Sequence, residues 1–258
     1  MSLPFVSVMT CTFGRPALLE EAIESFLRQD YQGPKEMVVF NSFVPQQLQC
    51  AAPNVKIVNW HCRPPNLGSC RNLCIEHCSG SHILMLDDDD IIRPHYMRQC
   101  VDALVRENLE WVKVGNLIWT VDRRIESVRT QPAANQFLFS KRVWEQVGRY
   151  PDHNAGEDRI FEERLVAYGH GRRVPVPPCE AGYMYGWGGH SGQVYHISGA
   201  GEDQRNRPPG TLRMQQHART LLSNRKIRPG KVMLHPHWNK DYEAEFVAWC
   251  QRTGGSKA

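Results

Sequence analysis

The chain has 258 residues, 41% of them hydrophobic and 22% charged, which is enough apolar content for a substantial core and too much for a disordered chain. Only short apolar runs occur, such as Ile83–Leu86, far below the roughly 20 residues that cross a bilayer, and the start lacks the basic n-region of a signal peptide. The net charge of +4 is unevenly spread: residues 204–240 hold nine cations and no acid, leaving 22 cations against 27 acids, or −5, elsewhere.

In chain order, Phe5–Met9 reads as a buried strand, and Pro16 opens a helix whose apolar face is Leu18, Leu19, Ala22, Ile23, Phe26 and Leu27. Gly33-Pro34 breaks the chain before a strand at Met37–Phe40, and another follows Pro45 at Val55–Val58. After the Pro64-Pro65 turn a helix is expected from Leu67 to His77, ended by Ser79-Gly80 ahead of a fourth strand, His82–Leu86. Strands alternating with helices predict an α/β fold with a mostly parallel sheet covered on both faces, and such sheets bind ligands beyond the carboxyl ends of their strands.

At that edge stand Asp87, Asp88, Asp89 and Asp90. Four adjacent carboxylates repel one another, so they read either as a divalent-cation site or as a solvated acidic turn. Gly156-Glu157-Asp158 opens a helical segment with Ile160, Phe161, Leu165 and Tyr168 on its apolar face. Acids there can serve the helix dipole; since neighbours on a helix point about 100° apart, at most one of the pair is expected to face a reacting group. The aromatic and glycine-rich stretch Tyr183–Gly199 shows no helical period and predicts a loop suited to sugar rings or to packing. Cys70, Cys74 and Cys78 share a helical face and read as small buried side chains rather than zinc ligands. Nine cysteines, an odd number in a chain that needs no staples, fit reduced thiols and a cytoplasmic location.

These pieces, in this order, resemble the inverting glycosyltransferases of family two with the Rossmann-like GT-A fold. The resemblance runs from about Val6 to Gly199 through Val6–Pro16, Ser25–Tyr31, Glu36–Val39, Asn66–Asn72, Leu86–Asp90 and Gly156–Asp158. It implies a catalytic domain at 1–203 and a basic extension at 204–258 that packs on or beside the active site. The family's D-x-D motif falls on Asp87 and Asp89, which would hold Mn2+ or Mg2+ against the diphosphate of a nucleotide-sugar donor, a UDP-sugar being favoured. It further implies Asp158 as general base with Glu157 second, His196 rather than His190 as a third metal ligand, and donor contacts from Thr10, Thr12, Arg15, Asn41, Arg71, Asp87 and Asp88. Asp90 is expected to be structural, and Arg71 to sit in the loop before its helix.

Two positions depart from the family pattern. Asn41 stands where Asp usually reads the base, and an amide donates as well as accepts, which loosens the preference for uracil. Phe13-Gly14 replaces a common Tyr-Asn. The acceptor is left open between a saccharide, a glycolipid and DNA with a hydroxylated base, the last because a +9 strip tracks phosphates. The strip equally suits a nucleotide diphosphate, an acidic membrane or no fixed partner. Rival readings are a non-catalytic GT-A-like or nucleic-acid-binding module and a metal-dependent phosphohydrolase.

Overall fold

A computed structural model describes residues 3–130, 136–153, 156–187 and 229–254. The elements run β1 (Val6–Thr12), α1 (Pro16–Leu27), β2 (Lys35–Asn41), β3 (Gln46–Cys50), β4 (Val55–Asn59), α2 (Leu67–Glu76), β5 (His82–Met85) and β6 (Ile91–Ile92). They continue through α3 (Tyr96–Arg106), β7 (Trp111–Val114), β8 (Leu117–Val121), β9 (Arg124–Arg129), β10 (Leu138–Ser140), α4 (Lys141–Gln146) and α5 (Glu157–Tyr168). The described chain closes with β11 (Gly171–Val174), β12 (Tyr183–Trp187), β13 (Gly230–Leu234) and α6 (Tyr242–Thr253).

The main sheet has the order β11-β7-β10-β5-β1-β2-β4, and β5, β1, β2 and β4 are mutually parallel, as the alternating pattern predicts. Strand alternation divides the core. Val6, Val8, Met37 and Val39 meet Leu19 and Ile23 of α1 and Met97 and Val101 of α3 on one face. Met9, Cys11, Val38 and Phe40 meet α2, α4 and α5 on the other, where Cys74, Trp144 and Phe161 are buried. Cys70, Cys74 and Cys78 are buried there too, Cys74 with its Sγ 3.4 Å from the Val38 carbonyl. A second sheet, β6-β12-β8-β9, lies beyond the aspartates, and β13 pairs in parallel with β3.

Several expectations are corrected. Gln46–Cys50 is a strand, which makes the strand before the aspartates the fifth rather than the fourth. Tyr183–Trp187 is a strand in the second sheet rather than a loop, since aromatic side chains suit a pleated surface and both neighbouring strands supply partners. Arg71 lies in the second turn of α2, inside the helix expected from Leu67 to His77 and not in the loop before it. The packing expected of 204–258 is not among these corrections: in its described part β13 lies on β3, and α6 packs through Tyr242, Phe246 and Trp249 against Ile91, Ile118 and Met184 of the second sheet. The thiols are not all reduced, because Cys179 and Cys250 form a disulfide, which removes the cysteine argument for a cytoplasmic location. Among the described residues no helix is long and apolar enough to cross a membrane.

Candidate active site

The aspartates follow β5 at the carboxyl edge of the main sheet, and their surroundings differ. The Asp87 side chain is 28% exposed and pairs with Arg71 Nη2 at 3.3 Å. Asp88 is fully buried, accepting from Thr12 Oγ1 at 2.6 Å and from Arg15, whose Nε lies at 3.1 Å and whose Nη2 reaches its second oxygen. Arg15 Nη1 also donates to Asp89 Oδ2 at 2.8 Å, and Thr10 Oγ1 donates to the Leu86 carbonyl at 2.7 Å. Asp90 accepts from the Tyr183 hydroxyl at 2.6 Å and the Gly186 N–H at 2.7 Å, which is a structural role. Burial pushes the Asp88 carboxyl up to about 6 against the pull of Arg15, and holds Asp90, beside Asp89 and Asp87, well above the usual carboxylate range.

Two helices bring the second acidic group to this edge. Asn66 caps α2 by accepting from the Ser69 N–H at 2.7 Å. Gly68 lets α2 approach Pro151 so closely that a Cβ would stand 1.8 Å from its carbonyl oxygen. Gly156 opens α5 at φ 76°, a left-handed conformation natural to glycine, so that Glu157 and Asp158 start the helix. Arg71 spans the gap: it pairs with Asp87 and donates through Nε to Glu157 Oε1 at 3.1 Å, with its guanidinium 5.7 Å from the Tyr150 ring centre. Glu157 is 3% exposed, and burial, only partly offset by Arg71, pushes its carboxyl up to about 7. The next residue, Asp158, is half-buried, its Oδ1 accepting from the Arg159 N–H at 2.7 Å. Of the pair, one anchors and the other is left accessible.

The rest of the expected set divides. Asn41 is buried and turned inward: its Nδ2 donates to the Gln46 carbonyl at 2.8 Å and to Asn59 Oδ1 at 3.0 Å, while its Oδ1 accepts from the Phe43 N–H. The amide holds the β2–β3 connection with both Nδ2 hydrogens and one of the two lone pairs of Oδ1. At the ends of β1 and β2, Phe13 and Phe43 meet edge to face at 5.0 Å, with the Arg63 guanidinium 4.5 Å from the Phe13 ring centre. Across the second sheet Tyr185 stacks on Trp119 at 5.3 Å, and Arg129 lies 3.5 Å over Trp119. His196, His190 and the cations Arg205–Arg228 lie outside the described residues.

Of the five carboxylates Asp87–Asp90 and Glu157, four pair with the two guanidinium groups of Arg15 and Arg71, while Asp90 is held by Tyr183 and Gly186. That excess of oxygen ligands suits a hard divalent cation at Asp87 and Asp89. Among the described residues, no group of three His, Cys, Asp or Glu side chains is placed to hold a metal ion. The sequence reading missed Glu21 and Arg123, and it named Tyr183 without its bond to Asp90. Glu21 carried a signal, an acid lodged among the apolar positions of α1; Arg123 carried none, because its partners come from distant parts of the chain.

Glycosyl transferase family 2 matches residues 7–165 of this chain. Among solved structures, S. aureus TarS 1-349 in complex with UDP-GlcNAc superposes with a TM-score of 0.57 at 13% identity, covering 88% of this chain and 68% of that one. The same TarS fragment in complex with UDP gives 0.53 at 14% identity over 87% and 70%. A further TarS structure gives 0.53 at 14% identity, covering 72% of this chain, which spans only 37% of that one.

Proposed function

The chain belongs to glycosyl transferase family 2 and has the GT-A fold, and from that premise we propose that it moves a sugar from a nucleotide-diphosphate donor to an acceptor hydroxyl, with inversion. The observation that carries this reading is Arg71, which pairs with both Asp87 and Glu157 and so ties the aspartate turn to the helix bearing Asp158. Donor-side and acceptor-side chemistry in this reading meet at that bridge.

In this reading Asp158 takes the proton of the acceptor hydroxyl as it attacks the anomeric carbon from the face opposite the leaving group. Glu157, buried and committed to Arg71, is its anchor. Asp87 and Asp89 would hold Mn2+ or Mg2+, which when bound supplies Lewis-acid stabilisation to the departing diphosphate. Thr10, Thr12, Arg15 and Asp88 act behind them: Thr12 and Arg15 fix Asp88, Arg15 fixes Asp89, and Thr10 fixes the strand end. The base is placed at the ends of β1 and β2, beside Asn41, Phe13 and Phe43. TarS in complex with UDP-GlcNAc supports a nucleotide-sugar donor, with UDP the first nucleotide to try. Trp119, Tyr185 and Arg129 form the wall on which we place the acceptor, whether saccharide, glycolipid or DNA.

The test is incubation with a panel of nucleotide sugars, each with Mn2+, Mg2+ or EDTA, and detection of released nucleotide. Release that requires a sugar donor and disappears in EDTA is expected. Phosphate release from substrates without a sugar would instead select a phosphohydrolase, and no turnover together with duplex-DNA binding would select a nucleic-acid-binding module.

A further inference from the structure

Arg123 occupies an unusual place. It is the second residue of the two-residue connection between β8 and β9, where Asp122 has φ 47° and Arg123 φ 66°. Turns with both central residues left-handed favour Asn and Gly, which tolerate that conformation, and arginine does not. What the side chain does there is specific. Its Nη1 donates to the main-chain carbonyl of Asp89 at 2.7 Å, and its Nε pairs with Glu21 at 2.9 Å.

Glu21 lies on α1 with its side chain 1% exposed. Its Oε1 also accepts from the Tyr242 hydroxyl at 2.6 Å and from Asn239 Nδ2 at 3.1 Å. The Arg123 carbonyl in turn accepts from Lys240 Nζ. Two remote stretches, α1 and the segment entering α6, thus hold Arg123 of the β8–β9 turn, and it is Arg123 that reaches the backbone oxygen of Asp89. Asp89 is held at both ends, its carboxylate by Arg15 and its carbonyl by Arg123. A buried ion pair is a weak source of stability, because desolvation offsets most of the attraction, while a left-handed arginine adds backbone strain. Such a combination is better explained by what it orients.

We propose that Glu21 and Arg123 are positioning residues: they set the backbone of Asp89, and so the direction in which its carboxylate meets the donor diphosphate and its cation, and they make the segment 239–242 part of that setting. The proposal rests on the role given above to Asp89.

The double variant Glu21→Gln/Arg123→Gly tests it, because glycine suits a φ of 66° and glutamine removes the buried charge while still accepting from Tyr242. Amide exchange at the Asp90 N–H, which bonds the Asp87 carbonyl at 3.1 Å, reads how firmly the turn around Asp89 is held closed. The expected result is an unfolding midpoint near wild type, faster exchange at Asp90, and a Mn2+-dependent affinity for a panel of UDP, CDP, GDP and ADP lowered about 10- to 100-fold, the usual effect of removing a support behind a metal ligand. Arg123→Lys keeps the charge beside Glu21 but not the two-pronged reach, and should fall between; it carries the same measurements if the double variant does not fold. Wild-type exchange at Asp90 in a folded variant overturns the proposal. So does faster exchange with unchanged nucleotide affinity when Asp89→Ala abolishes that affinity. If Asp89→Ala, or the wild type itself, shows no dependence of nucleotide binding on Mn2+, the reading of Asp89 falls instead, and the positioning statement is decided by exchange alone.

Discussion

Glu157 is buried against Arg71 while its neighbour Asp158 stays accessible, so two carboxylates of one helical turn are given different work by their surroundings. Asp158→Asn keeps the shape but cannot take a proton, and transfer should fall about 10²- to 10⁴-fold with donor affinity unchanged, measured by steady-state kinetics beside nucleotide titration. If Glu157→Gln is the crippled variant and Asp158→Asn is not, the two roles must be exchanged. Glu157 also carries a pH signature. Burial raises its carboxyl from 4.5 to about 7, so the folded chain binds that proton more tightly than the unfolded one. Its contribution to stability is fully present below about 4.5 and is lost as pH rises through about 7. Unfolding midpoints measured from pH 4 to 8 should therefore show the wild type losing ground to Glu157→Gln across that window. A difference that stays constant with pH would exclude the raised carboxyl.

Helix α5 delivers that pair, and a buried charge cluster pins it to the sheet. Lys113 on β7 is fully buried and donates to both oxygens of Glu162 at 2.9 Å, while Arg173 on β11 reaches Glu162 Oε1 at 2.6 Å. Removing the acid alone strands the lysine, so Glu162→Ala should destabilise by about 3–5 kcal/mol, whereas Lys113→Met/Glu162→Leu should be close to neutral. Denaturant titration of both variants checks this, and equal losses would reject the account. The elements nearest the site were the legible ones: β1, α1, α2, β5 and the start of α5 announce themselves by apolar period, Pro16, and the glycine before Glu157. Strand β3 did not, because in Gln46–Cys50 the alternation is carried by Gln46 and Leu48 inside and Gln47 and Gln49 outside, and its partner β13 lies some 180 residues on. Asn41 was legible as a departure from the family's Asp, but its bonds to Gln46 and Asn59 were not, since no local pattern connects those residues to it. Arg71 was expected at the donor, and its bridge to Glu157 spans 86 positions.

Across the whole molecule the same limit applies to α6, which joins the second sheet through contacts that sequence spacing does not foreshadow. Arg93 forks onto Glu243 at 2.8 and 2.9 Å, donates to the Ala181 carbonyl at 3.0 Å, and covers Phe246 at 4.6 Å. Cys179 and Cys250, 71 positions apart, close the same contact covalently. A cross-link over a loop of that length restricts the unfolded chain, and such disulfides contribute about 2–4 kcal/mol. Cys250→Ser should therefore lower stability by that amount without reductant and match the wild type in its presence. The loss should be carried by α6 and the strands beneath it, because Phe246 and Trp249 pack on Ile118 and Met184 rather than on the main sheet. Thiol labelling of the denatured, unreduced chain gives an independent reading: seven of the nine cysteines should react, since Cys11, Cys50, Cys62, Cys70, Cys74, Cys78 and Cys100 are free. Nine reactive thiols, or a Cys250→Ser variant as stable as the oxidised wild type, would leave Arg93 and the apolar contacts as the whole of what holds α6, and the cysteine pattern would again favour a reducing compartment.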